Sequence, residues 1–262
     1  MRKRKTIYFI ILFAFITGPM NLFSLAGPPI DDEEETKTID IDFNAGLNVS
    51  FNTTPIKMGP GKISNSLVYS CLALEVDADV ADFLTLGLMA GLASNHFKNP
   101  VDFETLPLSL RFDREKNNAL LLGLTAASEF PIFGDFSLMT RGEFLYFIPF
   151  KRESEISLPI VNGSAVSKCS FYQADIEVLG QYNGFSLGTV FFGPQLFLAG
   201  GKYNASETIE DIKDDETLKF KQKNFLGFVG GINFDLTEHF NIELKATLLS
   251  KTAVAARVLY LF

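Results

Sequence analysis

Tryptophan is absent from this chain of 262 residues, and cysteine and histidine occur only twice each. Each shortage closes a route. Cys71 and Cys169 are too few for the disulfide framework on which small exported domains depend. Two cysteines and two histidines, scattered along the chain, assemble no zinc ligand set, and no cofactor is expected. Acid–base catalysis is equally constrained: His239 falls in the turn sequence "DLTEH", and His96, with Ser94 nearby in "SNHFKN", is the one candidate for a surface lipid hydrolase, set against ordinary loop polarity. Long apolar runs are also missing. After the first 26 residues no stretch holds the ~18–20 apolar residues of a spanning helix, and none shows 3.6-residue periodicity with caps. Basic residues number 23 against 31 acidic ones, for a formal charge of −8, which argues against nucleic acid as a partner.

The chain opens with Arg2, Lys3, Arg4 and Lys5, then an apolar stretch from Ile7 to about Ile16, then small residues around Ser24-Leu25-Ala26. This is the grammar of a secretory signal peptide over 1–26, since the apolar run is too short to span and Pro19 interrupts it. Removing it takes the formal charge to −12. Residues 27–37, "GPPIDDEEETK", read as a flexible acidic lead-in.

From residue 38 to the end the pattern has period two. In "TIDIDFNAGLNVSFN", Ile39, Ile41, Phe43, Ala45, Leu47, Val49 and Phe51 alternate with polar residues and glycine. A strand points successive side chains to opposite faces, so one face is apolar and the other wet. Continuing along the chain predicts strands at 39–52, 66–76, 83–93, 103–112, 119–130, 136–148, 153–161, 164–181, 185–199, 224–234, 240–249 and 253–262. Asn162-Gly163 and Asn183-Gly184 supply hairpin signals. Twelve strands place the long connections 53–65, 94–102 and 200–223 at one end, and "VDADVAD", "DREKNN", "PFKR", "YNG" and "DLTEH" at the other; ten strands is the alternative.

Most strands are longer than the ~5–6 residues usual in soluble sheets, and the polar face carries charges in mid-strand. Aromatics on the apolar face gather at two levels, Phe51, Phe130 and Phe136 against Phe112, Tyr146, Tyr182, Phe234, Phe240, Tyr260 and Phe262, although the missing tryptophan weakens this belt. The ending, Val258, Tyr260 and a terminal Phe262, resembles the insertion signal of bacterial outer-membrane β-barrel proteins. The resemblance implies a closed antiparallel up-and-down transmembrane β-barrel over 38–262, outer-membrane lipids and lipopolysaccharide as surroundings, and the barrel-insertion machinery as a partner of the last strand. Backbone pairing in hydrocarbon requires closure, so 253–262 should zip against 39–52.

The polar face then lines a lumen whose candidates are Arg111, Arg141, Glu143, Asp175, Glu177, Glu243, Lys245 and Arg257, with Glu129 beside them. Such charges either pair across a filled interior or line water. The expected function is a passive pore or small-solute transporter; the alternative is a non-conducting structural or adhesive barrel acting through its outer loops, chiefly 200–223, and a lipid hydrolase using His96 is the third. By parity both cysteines face the lumen on opposite walls, beyond disulfide reach. The loop 200–223, acidic first and basic later, either folds over the mouth or binds divalent cations at the lipopolysaccharide surface.

Overall fold

Alternation becomes geometry at once. In a computed structural model the first strand, β1 (Asp42–Met58), carries Phe43, Leu47 and Phe51 exposed on one side and Asn52, Thr54, Ile56 and Met58 buried on the other. The structure describes residues 42–81, 83–101, 103, 106, 116–157, 162–210 and 212–262. The expected signal peptide and lead-in therefore lie outside the described residues, as does Ile41.

Eleven further strands follow: β2 (Ile63–Ala81), β3 (Leu84–Phe97), β4 (Asn117–Phe133), β5 (Phe136–Pro149), β6 (Arg152–Ser157), β7 (Asn162–Phe185), β8 (Gly188–Ile209), β9 (Ile212–Gln222), β10 (Leu226–Thr237), β11 (Phe240–Leu248) and β12 (Thr252–Leu261). All pairings are antiparallel. Ten of the strands close a ring, β1–β2–β3–β4–β5–β7–β8–β10–β11–β12, because β12 pairs back onto β1 from Asn44 opposite Leu261 to Thr53 opposite Thr252. Closure gives every strand of the ring two neighbours and removes the sheet edge, as a membrane wall requires.

The other two strands stand above this ring at its outer end. β6 pairs with the first residues of β7. β9 folds back on β8 through the Ile209–Ile212 hairpin, and its far end pairs with β1 from Ile56 opposite Gln222 to Met58 opposite Phe220. At that height β8–β9–β1 replaces β8–β10–β11–β12–β1, so one strand stands where three stood below.

Twelve strands and a closed barrel agree with the sequence, yet the strands are not all the expected ones. The segment 200–223 is no loop: it is the end of β8 and all of β9. Of 103–112, the described residues Phe103 and Leu106 are not in a strand, and the remainder lies outside the described residues. Without that pass β4 runs inward and β5 outward, so "PFKR" and the described part of "DREKNN" sit at the outer end, and Phe130 and Phe136 lie at the inner rim with Tyr182 rather than level with Phe51. Both Asn-Gly pairs are inside β7. Neither glycine has a positive φ, and the β7–β8 turn falls at Ser186-Leu187 instead.

Candidate functional site

Leu86 and Leu244 are 44% and 46% exposed, whereas Glu243 is 5% exposed. The apolar side of the wall therefore faces outward and the charged side inward, the reverse of a soluble barrel. Mid-strand residues such as Leu74, Leu88 and Leu124 form the outer band.

The interior is filled in layers. In its outer part the walls supply Tyr69, Phe97, Phe147, Phe171, Tyr203 and Phe220, all buried, and the connection after β3 adds Val101, Phe103 and Leu106. Phe147 stacks on Phe171 at 3.9 Å, Phe97 meets Tyr203 at 5.0 Å, and Phe103 meets the same tyrosine at 5.5 Å. Sequence parity located the wall residues but not this contribution from a connecting segment.

Below lies an ionic layer. Arg141 donates two hydrogen bonds to the Glu243 carboxylate at 2.8 and 2.7 Å. Lys245 pairs with Glu177 at 3.2 Å and Lys251 with Asp175 at 2.8 Å. Arg257 bridges Glu75, at 2.8 Å, and Asp77. The amides complete the layer: Gln195 Nε2 donates to Asp175 at 2.7 Å, and Gln173 Nε2 donates to Asp175 at 3.0 Å and to Glu143 at 3.2 Å. Such satisfaction is what makes charges tolerable away from bulk water. Toward the inner end Met139, Leu179, Phe191 and Val229 form a small apolar cluster, with the Arg141 guanidinium 5.9 Å above the Phe191 ring. The interior glycine Gly231 leaves room for that ring, since a Cβ there would lie 2.4 Å from Phe191 Cζ.

The structure thus brings together seven of the eight predicted lumen residues: Arg141, Glu143, Asp175, Glu177, Glu243, Lys245 and Arg257. Arg111 lies outside the described residues. Glu143 is half-buried and takes its hydrogen bond from Gln173 rather than from a cation. Glu129, nearer the inner mouth, accepts from Ser137 Oγ at 2.6 Å. Sequence reasoning missed Glu75, Asp77 and Lys251. The first two continue the inward parity of Cys71 and Ala73, so extending β2 past Val76 would have found them. Lys251 belongs to a three-residue link, where alternation carries no information.

Outside this layer the other candidates separate. His96 sits within β3, on the outward face with Ser94, and not in a loop. His239 occupies the inner β10–β11 turn, its Nδ1 3.2 Å from the Leu261 carbonyl oxygen. Among the described residues no three His, Cys, Asp or Glu side chains are placed to hold a metal ion. Cys71 and Cys169 are buried and free, Cys71 beside Ser50 Oγ at 2.9 Å. Val258, Tyr260 and Phe262 all face outward at the inner rim, where Tyr260 meets Phe240 at 5.1 Å and Phe262 at 4.9 Å.

No family model and no curated protein matches this sequence. Several solved structures resemble it. The translocator domain of the autotransporter NalP from Neisseria meningitidis is 11% identical over 87% of this chain and 90% of its own, with a TM-score of 0.45. The outer membrane protease OmpT from Escherichia coli is 10% identical over 87% and 100%, at 0.41. OprG from Pseudomonas aeruginosa is 11% identical over 85% and 95%, at 0.39. Likeness this distant carries no function across; these are bacterial outer-membrane proteins, and the closed antiparallel transmembrane β-barrel is the fold of this chain.

Proposed function

We propose that this chain is an exported outer-membrane barrel that does not conduct in its resting form and acts at the cell surface through the raised β6–β9 sheet. One observation carries the reading: cations and carboxylates from facing walls are buried against each other across the lumen, where a water-filled pore would leave them hydrated. The tall strands support it, since β7 has 24 residues and β8 has 22, well beyond the ~9–11 that a tilted crossing needs. Planar-bilayer recording of the refolded protein should give no conductance steps; regular steps at neutral pH would overturn the reading. Shortening the β8–β9 hairpin by removing its tip, 206–215, should abolish a surface-binding phenotype while leaving insertion intact.

A second reading is a gated passive pore for small solutes. It rests on the origin of Val101, Phe103 and Leu106, which come from a connecting segment and not from the wall, so their withdrawal would uncover the outer part of the bore. Under this reading the triple substitution of those residues by serine produces steps that the parent lacks.

A further inference from the structure

The register across β9, β1, β2 and β3 builds a cationic shelf on the outward face of the outer rim. Thr53, Val68 and His96 stand in one row, where the uncharged wall ends. In the next row outward, Lys223 N donates to the Pro55 carbonyl at 2.8 Å, Pro55 stands opposite Ser66, and Lys98 N donates to the Ser66 carbonyl at 2.9 Å. The row above is Lys221, Lys57 and Ser64. Beside it, Lys202 stands directly opposite Lys219.

Two features ask for an anion. Like charges directly opposite each other across strands are unfavourable unless something neutralises them, and both Lys57–Lys221 and Lys202–Lys219 are such pairs. Among the described residues none of these lysines, nor Lys98 or Lys223, takes part in an ion pair. There is also a built concavity. Lys98 and Lys223 flank a cleft of about 310 Å³ lined by Ser64, Ser66, Asn65, Asn99 and Pro55, with no carboxylate in its wall. Asn65 fixes its far side, its Nδ2 donating to the Asn99 carbonyl at 3.0 Å and its Oδ1 accepting from Asn99 N at 3.0 Å. Three strand spacings of ~4.8 Å separate Lys98 from Lys223, so the two chain positions lie about 14 Å apart with hydroxyls between them. The inner rim is the opposite: Asp42, Asp79, Asp135, Asp235 and Glu238 stand there, with no lysine or arginine among the described residues.

We propose that this cleft binds the headgroup of a phosphorylated outer-leaflet glycolipid, the two ammonium groups taking phosphate and the serine hydroxyls and asparagine amides taking sugar hydroxyls. The position fits, because the shelf begins one row above the uncharged wall, at headgroup height. The proposal rests on the outer-membrane reading and commits to a lipid rather than a soluble anion.

The test uses the full chain refolded in detergent, with heat-modifiable mobility recorded first in the absence of lipid; loss of that shift would defeat the barrel reading itself, separately from the lipid site. Folded protein is then titrated with bisphosphorylated lipid A, with the same lipid after phosphatase treatment, and with inorganic phosphate. Lys98→Ala/Lys223→Ala should bind lipid A at least about tenfold more weakly than the parent, as loss of charge-assisted contacts predicts. Lys213→Ala, removing a lysine that pairs with Asp215 at 3.7 Å higher on the sheet, should bind like the parent. Conservative Lys98→Arg/Lys223→Arg should retain binding. Equal affinity of the parent and the double alanine variant, equal affinity for the dephosphorylated lipid, no binding by the folded parent, or saturation by inorganic phosphate at the lipid's own concentration range would each overturn the proposal.

Discussion

Replacing Glu243 with Gln asks directly whether the lumen is closed. The substitution keeps the shape of the side chain and removes its charge, leaving the Arg141 guanidinium with no ion-pair partner in the positions it now spans at 2.8 and 2.7 Å. The size of the effect depends on what surrounds the pair. Two unit charges about 4 Å apart attract by about 1 kcal/mol in bulk water and by about 4 kcal/mol at an effective dielectric of 20. Measured exposed pairs give about 0–1 kcal/mol, whereas removing one partner of a buried pair costs about 3–5 kcal/mol. Here the side chains are 14% and 6% exposed, which puts the pair in the second class. Arg141 keeps its stacking over Phe191, so the expected loss is at the low end, about 3 kcal/mol. Urea unfolding in lipid vesicles, read by the heat-modifiable band, measures it. The double variant Arg141→Met/Glu243→Leu should recover to within about 1 kcal/mol of the parent, because it leaves no unpaired charge. A loss below about 0.5 kcal/mol for Glu243→Gln would refute the reasoning, for it would place the pair in water and the lumen with the open pores.

Three other outcomes follow from the same geometry. Leu88→Arg, at an outward mid-strand position 64% exposed, should cost about 2–4 kcal/mol in bilayers by the same unfolding assay; a neutral result would mean that the outer band does not meet acyl chains. Phe147→Ala removes a ring stacked on Phe171 inside the outer aromatic layer and should cost about 3–5 kcal/mol, without the recovery by a second substitution expected of the ion pair. Phe262→Ala, at the 78% exposed end of the last strand, should leave refolding into detergent unchanged while lowering the amount assembled in cells, measured by surface proteolysis; equal assembly would remove the insertion machinery as a partner of this strand.

Which face of each strand meets lipid was legible because it is written twice per residue pair: an outward Leu at 72, 74 or 88 and an inward small or charged residue beside it reinforce each other along the whole strand. Seven lumen residues were found by that parity alone. Direction along the membrane normal is written nowhere so plainly. Two expected passes, 103–112 and 153–161, are not strands of the ring, and each omission reverses the direction of everything between them. Two reversals cancel, so both ends of the chain stayed correct while β4 and β5 were inverted. β9 escaped notice for another reason. Among its charged residues only Leu218 and Phe220 mark an inward face, and a strand standing clear of lipid needs no apolar outward face to declare it. Asn162-Gly163 and Asn183-Gly184 misled because a hairpin signal acts only where the pairing allows a turn; both pairs are held in extended ladders by β6 and β8.

The exchange of three strands for one explains why the two parts of the interior differ in chemistry. Across the ten-strand ring the facing walls are far enough apart that long basic side chains are needed to meet acids on the other side: Arg141 on β5 reaches Glu243 on β11, Lys245 on β11 reaches Glu177 on β7, and Arg257 on β12 reaches Glu75 and Asp77 on β2. Where β9 ties β8 directly to β1 the circumference shortens, and rings can close the remaining gap, as Phe97 on β3 does with Tyr203 on β8 and Phe220 on β9. Lys251, in the β11–β12 link, stands at the change of level, its ammonium pairing with Asp175 and lying 4.8 Å over the Phe197 ring. Bore width therefore selects the filler. Arg257→Lys should show this: a single ammonium cannot serve Glu75 and Asp77 through separate guanidinium nitrogens, so one carboxylate is left without its cation and stability falls although the charge is unchanged. A lysine variant as stable as the parent would mean that reach and fork geometry do not matter, and that the ring is narrower or wetter than its side chains imply.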